Sequence, residues 1–384
     1  MAMRTSLRTA LIVAAGALLL SACGGEVPPT SFPGLTVEGE AAYLSSNLHV
    51  YKFDPRSGAV AWVFPSPTED SESRRGPFAG LPLRFGDVVI VGETVDPNGR
   101  PQHILYALSI QDGKERWRFS GGQREYVDGV SSDGKLIFAP NGDHTLYALD
   151  PNQLENGEPK VVWKFTAKNK LWSRPLVANG RVYQASLDHN LYALDAATGA
   201  LLWTFTSGAS IAAQPALQDG TLFIGSFDQH VYAINADTGA QVWRSERLAG
   251  WIWCDPLVVD GNVLVGDVKG GFYALDTRNG SLRWRSQVGG AIRAQPVVVG
   301  DSIYIVASDT YLYRFDRRPT PNPDGYVPPE RVLENGLVRR LFSTPAYVDD
   351  ALLVPLFDGE VKLTAVNLSS RQKKFEVPPR SAGR

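Results

Sequence analysis

Read as a string of apolar and polar positions, the chain from about residue 33 to 378 alternates with period two, in short runs broken about every ten positions by turn residues. The stretches AQPALQDG, TLFIGSFDQH, VYAINADTG and AQVWRSE show it in sequence: four short strands and their turns, about forty residues in all. The unit then recurs. Its anchor is a Tyr, usually followed by Ala, an aliphatic residue and Asp or Asn, then a turn ending in Gly, with a Trp eleven positions after the Tyr. That spacing holds for Tyr51 and Trp62, Tyr106 and Trp117, Tyr192 and Trp203, Tyr232 and Trp243, and Tyr273 and Trp284. Tyr147 and Trp163 belong to the same set, with the turn lengthened by PNQLENGEPK. A seventh copy opens at Tyr313 and runs into a Pro-rich excursion, and a worn eighth has Thr364 and Phe375 where Tyr and Trp would stand.

Eight units of four strands predict an all-β, eight-bladed β-propeller of four-stranded antiparallel blades spanning 33–384 as one domain, because radial blades bury their faces on each other and leave only short edges. Helical repeats of similar period are excluded, since their cores need apolar spacing of three and four. The repeated residues have packing roles. Gly58, Gly113, Gly199, Gly239 and Gly280 sit in hairpin turns that call for positive φ. The Ala after the Tyr is small where a large ring must lie, and Trp62, Trp117, Trp163, Trp203, Trp243 and Trp284 supply the ring. Removing such a packed Trp costs about 3–5 kcal/mol.

Ala193, Asp195, Thr198, Gly199 and Trp203, spaced A-x-D-x-x-T-G-x-x-x-W, resemble the tryptophan-docking repeat of the pyrroloquinoline-quinone-type propellers. The likeness runs through nearly the whole sequence and departs at Lys52, Arg314 and Thr364. Those propellers divide into large quinone dehydrogenases and smaller non-catalytic members. The protein is similar in length and blade number to the BamB-type lipoproteins of outer-membrane β-barrel assembly. The resemblance implies a non-catalytic, monomeric, membrane-anchored scaffold that binds other proteins, the β-barrel assembly machinery among them, and no cofactor.

The N-terminus fits an anchor. Arg4 and Arg8 precede a short apolar run and a small-residue cleavage site, which reads as a secretory signal over 1–22. Leu20 to Cys23, LSAC, resembles a bacterial lipobox, so Cys23 would begin the mature protein and carry acyl groups such as palmitate, with 23–32 as a tether. The place implied is outside the cytoplasm, on the periplasmic face of an outer membrane if the cell has one and otherwise on the outer face of the cytoplasmic membrane. Losing 1–22 moves the formal charge from −2 to −4, and nothing in that balance recommends nucleic acid. With Cys23 acylated, Cys254 has no intrachain partner and reads as a small buried hydrophobe.

Catalytic chemistry finds little support. The five histidines, His49, His103, His144, His189 and His230, each fall at a turn of a different blade, too dispersed to gather at about 2 Å around one metal ion. A quinone dehydrogenase on this fold implies a calcium site, a catalytic Asp and, in the alcohol-oxidising branch, adjacent cysteines; the sequence has no Cys-Cys pair. No catalytic and no metal-binding residue is expected.

The positions that break the repeat carry more information. Aligned on the Pro that opens the innermost strand (Pro82, Pro175, Pro215, Pro256, Pro296, Pro345), or on Gly129 in the third unit, a variable entry segment precedes each blade. This alignment brings Tyr126, Trp172, Trp253, Arg293 and Phe342 to one mouth of the channel, with Asp128, Arg174, Gln214, Asp255 and Gln295 two positions on. Aromatic residues and Arg on a rigid scaffold suit a partner-binding surface. They would equally serve as a channel plug, and an aromatic mouth also suits cell-envelope polysaccharide. The loops SPTEDSESRR and ETVDPNGRPQ are expected on the same face, and RRPTPNPDGYVPPERVLENGLV, read as the link between the third and fourth strands of the seventh blade, on the opposite one.

Overall fold

The computed structural model describes residues 32–66, 77–94, 103–357 and 359–378, which belong to a single compact unit, Ser31–Arg384. The expected signal segment, Cys23, the expected tether before Phe32 and most of the two loops expected on the mouth face lie outside the described residues. The rest is thirty-two strands in eight antiparallel sheets of four, with no helix among the described residues. Numbered in sequence order, the blades run over 34–64, 78–119, 131–166, 176–206, 216–244, 257–287, 297–331 and 346–377. First strands touch between blades 1 and 2, 3 and 4, 5 and 6, 7 and 8, and 8 and 1, so the first strands are innermost. Every blade uses four consecutive strands, and no strand is exchanged to close the ring.

Closure is done by side chains, and the repeat shows how. Ala193 stands opposite Trp203 across the strand pair, as Ala233 does Trp243 and Ala274 does Trp284. The face of the ring, however, meets the turn of the following blade. Trp203 lies against Gly239 and Trp163 against Gly199, so closely that a Cβ on Gly239 would stand 2.7 Å from Trp203 Cδ2. Each of these glycines has φ near +73°, which only Gly adopts without strain. The indole N–H completes the dock by donating to the same turn: Trp163 to Ala196 O at 3.0 Å, Trp203 to Ala236 O at 3.1 Å, Trp243 to Thr277 O at 2.8 Å. Phe375, the worn copy in blade 8, packs on Gly58 of blade 1 and completes the circle. Around it Leu35, Leu44 and Phe53 share one core with Leu353, Leu363 and Val377.

Blades 3, 7 and 8 lack the turn Gly, and the Trp residues of blades 2 and 6 pack differently. Trp117 is buried among Leu149 and Val161, while Trp284 stacks on Phe315 at 6.1 Å. Blade 7 also corrects the expectation for its insertion. The fourth strand, Glu330–Arg331, lies inside the stretch expected to be a link, so the excursion proper runs only over 317–329. It folds back along blade 6, where the Arg285 N–H donates to Gly325 O at 2.9 Å and the Val327 N–H to Arg285 O at 2.8 Å, covering part of an otherwise open edge.

Candidate functional site

The entry segments and the turns between second and third strands share one face, and the repeat Tyr residues brace it. The Tyr192 hydroxyl donates to Asp188 Oδ2 at 2.7 Å and the Tyr232 hydroxyl to Asp228 Oδ2 at 2.5 Å; Tyr147, Tyr273 and Tyr313 do the same to Asp143, Asp267 and Asp309. The same carboxylates accept backbone N–H groups from the entry segments, Lys168 to Asp188 and Gly208 to Asp228, both at 2.8 Å. Burial, with the carboxylate alongside, pushes the Tyr192 and Tyr232 hydroxyls up to about 12, so they stay donors. The Asp residues therefore do more than cap their own turns: each fixes the loop that leads to the mouth.

Strand register defines which residues reach the channel. Leu264 pairs with Leu257 on one side and Ala274 on the other, which sets Pro256 just before the inner strand and Trp253 three positions earlier. The same count puts Trp172, Ala212, Arg293, Phe342 and Ala79 at equivalent places. Blade 3 differs. Phe138 pairs with Ser131 and Ala148, so Val130, not Gly129, takes the Pro place. Tyr126 consequently falls one step back, at the position of Ile252 and Ile292, fully buried against Gly92 in the core with Trp117 and Ile137. The expectation that Tyr126 faces the mouth is corrected: Val127 does. In blade 1, Tyr43 pairs with Thr36 and Lys52, which gives the eighth place to Phe32. Sequence reading passed over Phe32 because Pro33 beside it is not the register Pro.

The large side chains of this ring converge. Trp172 and Trp253 stack at 6.2 Å and 15°, and the Arg293 guanidinium sits over Trp253 at 4.7 Å, Phe342 at 5.2 Å and Phe32 at 5.5 Å. Beyond the ring the aromatic surface continues outward. Phe227 packs on Trp253, and Trp251, 42 % exposed, stacks on Phe227 at 5.3 Å and 11°. Trp251 and Phe227 went unnoticed in the sequence, although the W-x-W spacing of WIWCDP puts both indoles on alternate positions.

Beneath lies a polar tier. Arg174 Nε and a terminal nitrogen are 3.9 Å from Asp128 and 3.8 Å from Asp255, while the Arg174 N–H donates to Asp128 at 3.0 Å and the Gln214 N–H to Asp255 at 2.7 Å. Gln214 and Gln295 reach back to Pro175 O and Pro256 O at 2.9 and 3.0 Å, so these groups sew adjacent blades together. Burial and the neighbouring Asp128 push the Asp255 carboxyl up to about 7, against the pull of Arg174. Asp128 is raised too, chiefly by burial. Their side chains remain 34 % and 21 % exposed to the cavity for Asp128 and Asp255, and water there moderates the rise. Cys254, fully buried, donates to Ala294 O at 3.0 Å, and burial raises its thiol well above the usual range.

The ring and tier enclose a cavity of about 80 Å³. Sites for cofactor-sized ligands run to about 300–1,000 Å³, so a tricyclic quinone does not fit among these side chains. Among the described residues no three His, Cys, Asp or Glu side chains gather as metal ligands. His144 and His189 occupy positive-φ turn positions, φ 73° and 76°, on separate blades.

Fold, repeat and mouth define an eight-bladed propeller of the pyrroloquinoline-quinone-repeat class. The sequence model of the family described as outer membrane protein assembly factor BamB matches residues 21–125, 46–156, 100–226, 142–252 and 227–370, and the chain belongs to that family. An outer membrane protein assembly factor BamB of Burkholderia pseudomallei (strain K96243) is 30 % identical over 129 residues, 34 % of this chain and 30 % of the relative, so the match spans under a third of that relative's length. Among solved structures, BamB from Moraxella catarrhalis is similar with a TM-score of 0.65 at 17 % identity, covering 85 % of this chain and 91 % of that one. The computationally designed Ika8 protein has a TM-score of 0.69 at 13 % identity, covering 87 % and 96 %. At such identities the two structures speak for the fold.

Proposed function

We propose that this protein is a non-catalytic envelope lipoprotein whose propeller holds another protein against its mouth face during the assembly of outer-membrane β-barrel proteins. The observation that carries the reading is the aromatic surface running from Arg293 and Trp253 through Phe227 to the exposed Trp251, built where the packing repeat is broken and braced by the Tyr–Asp pairs below it. Large rings and Arg on a rigid support are the groups that dominate protein interfaces. Family membership supports the assembly role. The small cavity argues against the quinone enzyme as a rival. Part of the cluster also plugs the channel, since Phe342 is 8 % exposed and Phe32 lies over Arg293; the outward rings are the ones free to bind. Anchorage at Cys23 belongs to the same proposal.

The test is a pull-down from detergent-solubilised envelopes. Trp251→Ala should keep the melting temperature of the parent, because its ring is largely exposed, and lose partner by about thirtyfold in affinity, as a hot-spot residue of about 2 kcal/mol requires. Normal capture by Trp251→Ala, together with normal capture by the Trp172→Ala/Trp253→Ala/Arg293→Ala variant, would make the mouth a plug and nothing more.

A further inference from the structure

We propose that the mouth cavity is a carboxylate-binding site that takes an acidic group of the bound protein, an inference resting on the reading of the mouth as the partner-binding face. Three polar groups around the cavity, from blades 4, 7 and 8, lead to it. Arg293 Nε, Trp172 Nε1 and Ser343 Oγ are each buried with no hydrogen-bond partner, and all three residues line the same cavity. Ser343 as a whole is only 8 % exposed. Buried polar groups are ordinarily paired; two N–H donors, one of them cationic, and a hydroxyl able to donate around one space suit an acceptor ligand with negative charge. An ionised carboxylate is that group.

Arg293 supplies the charge. Its guanidinium carbon lies over the rings of Trp253, Phe342 and Phe32, its Nε has no hydrogen-bond partner, and it makes no ion pair among the described residues. Guanidinium meets carboxylate through two parallel N–H donors, a geometry no ammonium provides. Two carboxylates, Asp128 and Asp255, also line the cavity, yet both already face Arg174 and accept backbone N–H groups. One cation is thus shared by two acids in the lower tier, while the upper cation is left over. The volume, about 80 Å³, holds a carboxylate with a few waters and is too small for a sugar ring. The group could be the C-terminal carboxylate of a polypeptide or an Asp or Glu carboxylate within it; the chemistry is the same.

Three short peptides of one neutral sequence separate the sources: one with a free C-terminus, one amidated, and one amidated with a single internal Glu. Each is titrated into the mature protein and followed by tryptophan fluorescence, because Trp172 and Trp253 stack at the site. One of the carboxylate peptides should saturate while the neutral amide binds about tenfold or more weakly, and the one that does names the source. Arg293→Gln should erase the difference, Ser343→Ala should reduce it, and Arg293→Lys should fall between, with melting curves taken to confirm that each variant folds. Equal binding by all three peptides, no binding by any, or an unchanged preference in folded Arg293→Gln overturns the proposal. A partner pull-down keeps the two readings apart. Loss with Trp251→Ala but full retention with Arg293→Gln removes the carboxylate site and leaves the face; retention with both removes the face.

Discussion

Replacing Gly239 with Ala tests the docking of one blade on the next, and Gly220 in the same blade provides its control. Both glycines have nearly the same backbone, φ +73° and +72°. A Cβ at Gly220 meets nothing within 4 Å, whereas at Gly239 it would stand 2.7 Å from Trp203 Cδ2 and Cε3. Gly220→Ala should therefore cost only the left-handed backbone, about 1–2 kcal/mol. Gly239→Ala adds the displacement of a packed indole, about 1–3 kcal/mol for overpacking, giving about 2–5 kcal/mol. Trp203 also stands to lose its 3.1 Å bond to Ala236 O. Urea unfolding of the two variants and of each combined with Trp203→Ala forms a double-mutant cycle. In the Trp203→Ala background the two glycine substitutions should cost the same. Equal costs in the parent background, or a difference that survives loss of the indole, would refute blade-to-blade docking.

Tyr232→Phe removes a hydrogen bond to the Asp228 carboxylate and should cost about 1.5–3 kcal/mol in urea unfolding. Asp255 is raised to about 7, above the usual carboxylate range, so between about pH 4 and 7 the folded protein binds the proton more tightly than the unfolded one and stability from this group falls as pH rises. Asp255→Asn, which keeps an acceptor for the Gln214 N–H, should accordingly gain on the parent between about pH 5 and pH 8 in unfolding free energy; a constant difference would exclude the shift. Cys23→Ser should leave the membrane fraction as a folded protein, and retention on membranes in high salt would remove the anchor from the account. Calorimetric titration with pyrroloquinoline quinone and Ca²⁺ should show no stoichiometric binding.

Much of this molecule is written at short range. The Tyr–Trp spacing and period-two runs such as VYAINADTG carried blade count and strand count, because hairpin register is a local property. The partner of each Trp was not local: Gly239 lies four positions before Trp243, yet the ring on Gly239 is Trp203, from the blade before. The mouth ring was legible where a Pro marks the register and misread where it does not. Blade 3 has Val130 in that place, so Tyr126 was assigned to the mouth while its ring lies in the core. Blade 1 has Leu35 at the register place and Pro33 two steps before it, which hid Phe32. The orphan donors of Trp172, Arg293 and Ser343 had no sequence signal, since a missing partner is a fact of packing across three blades.

Site-specific photocrosslinking in intact cells tests the central claim most directly. A photoreactive side chain at position 251 lies on the mouth face; one at 237, in the opposite-face turn where Asp237 is 76 % exposed, is the control. The account predicts a discrete crosslinked protein from 251 and none from 237. A crosslink from 237 with none from 251 would contradict it.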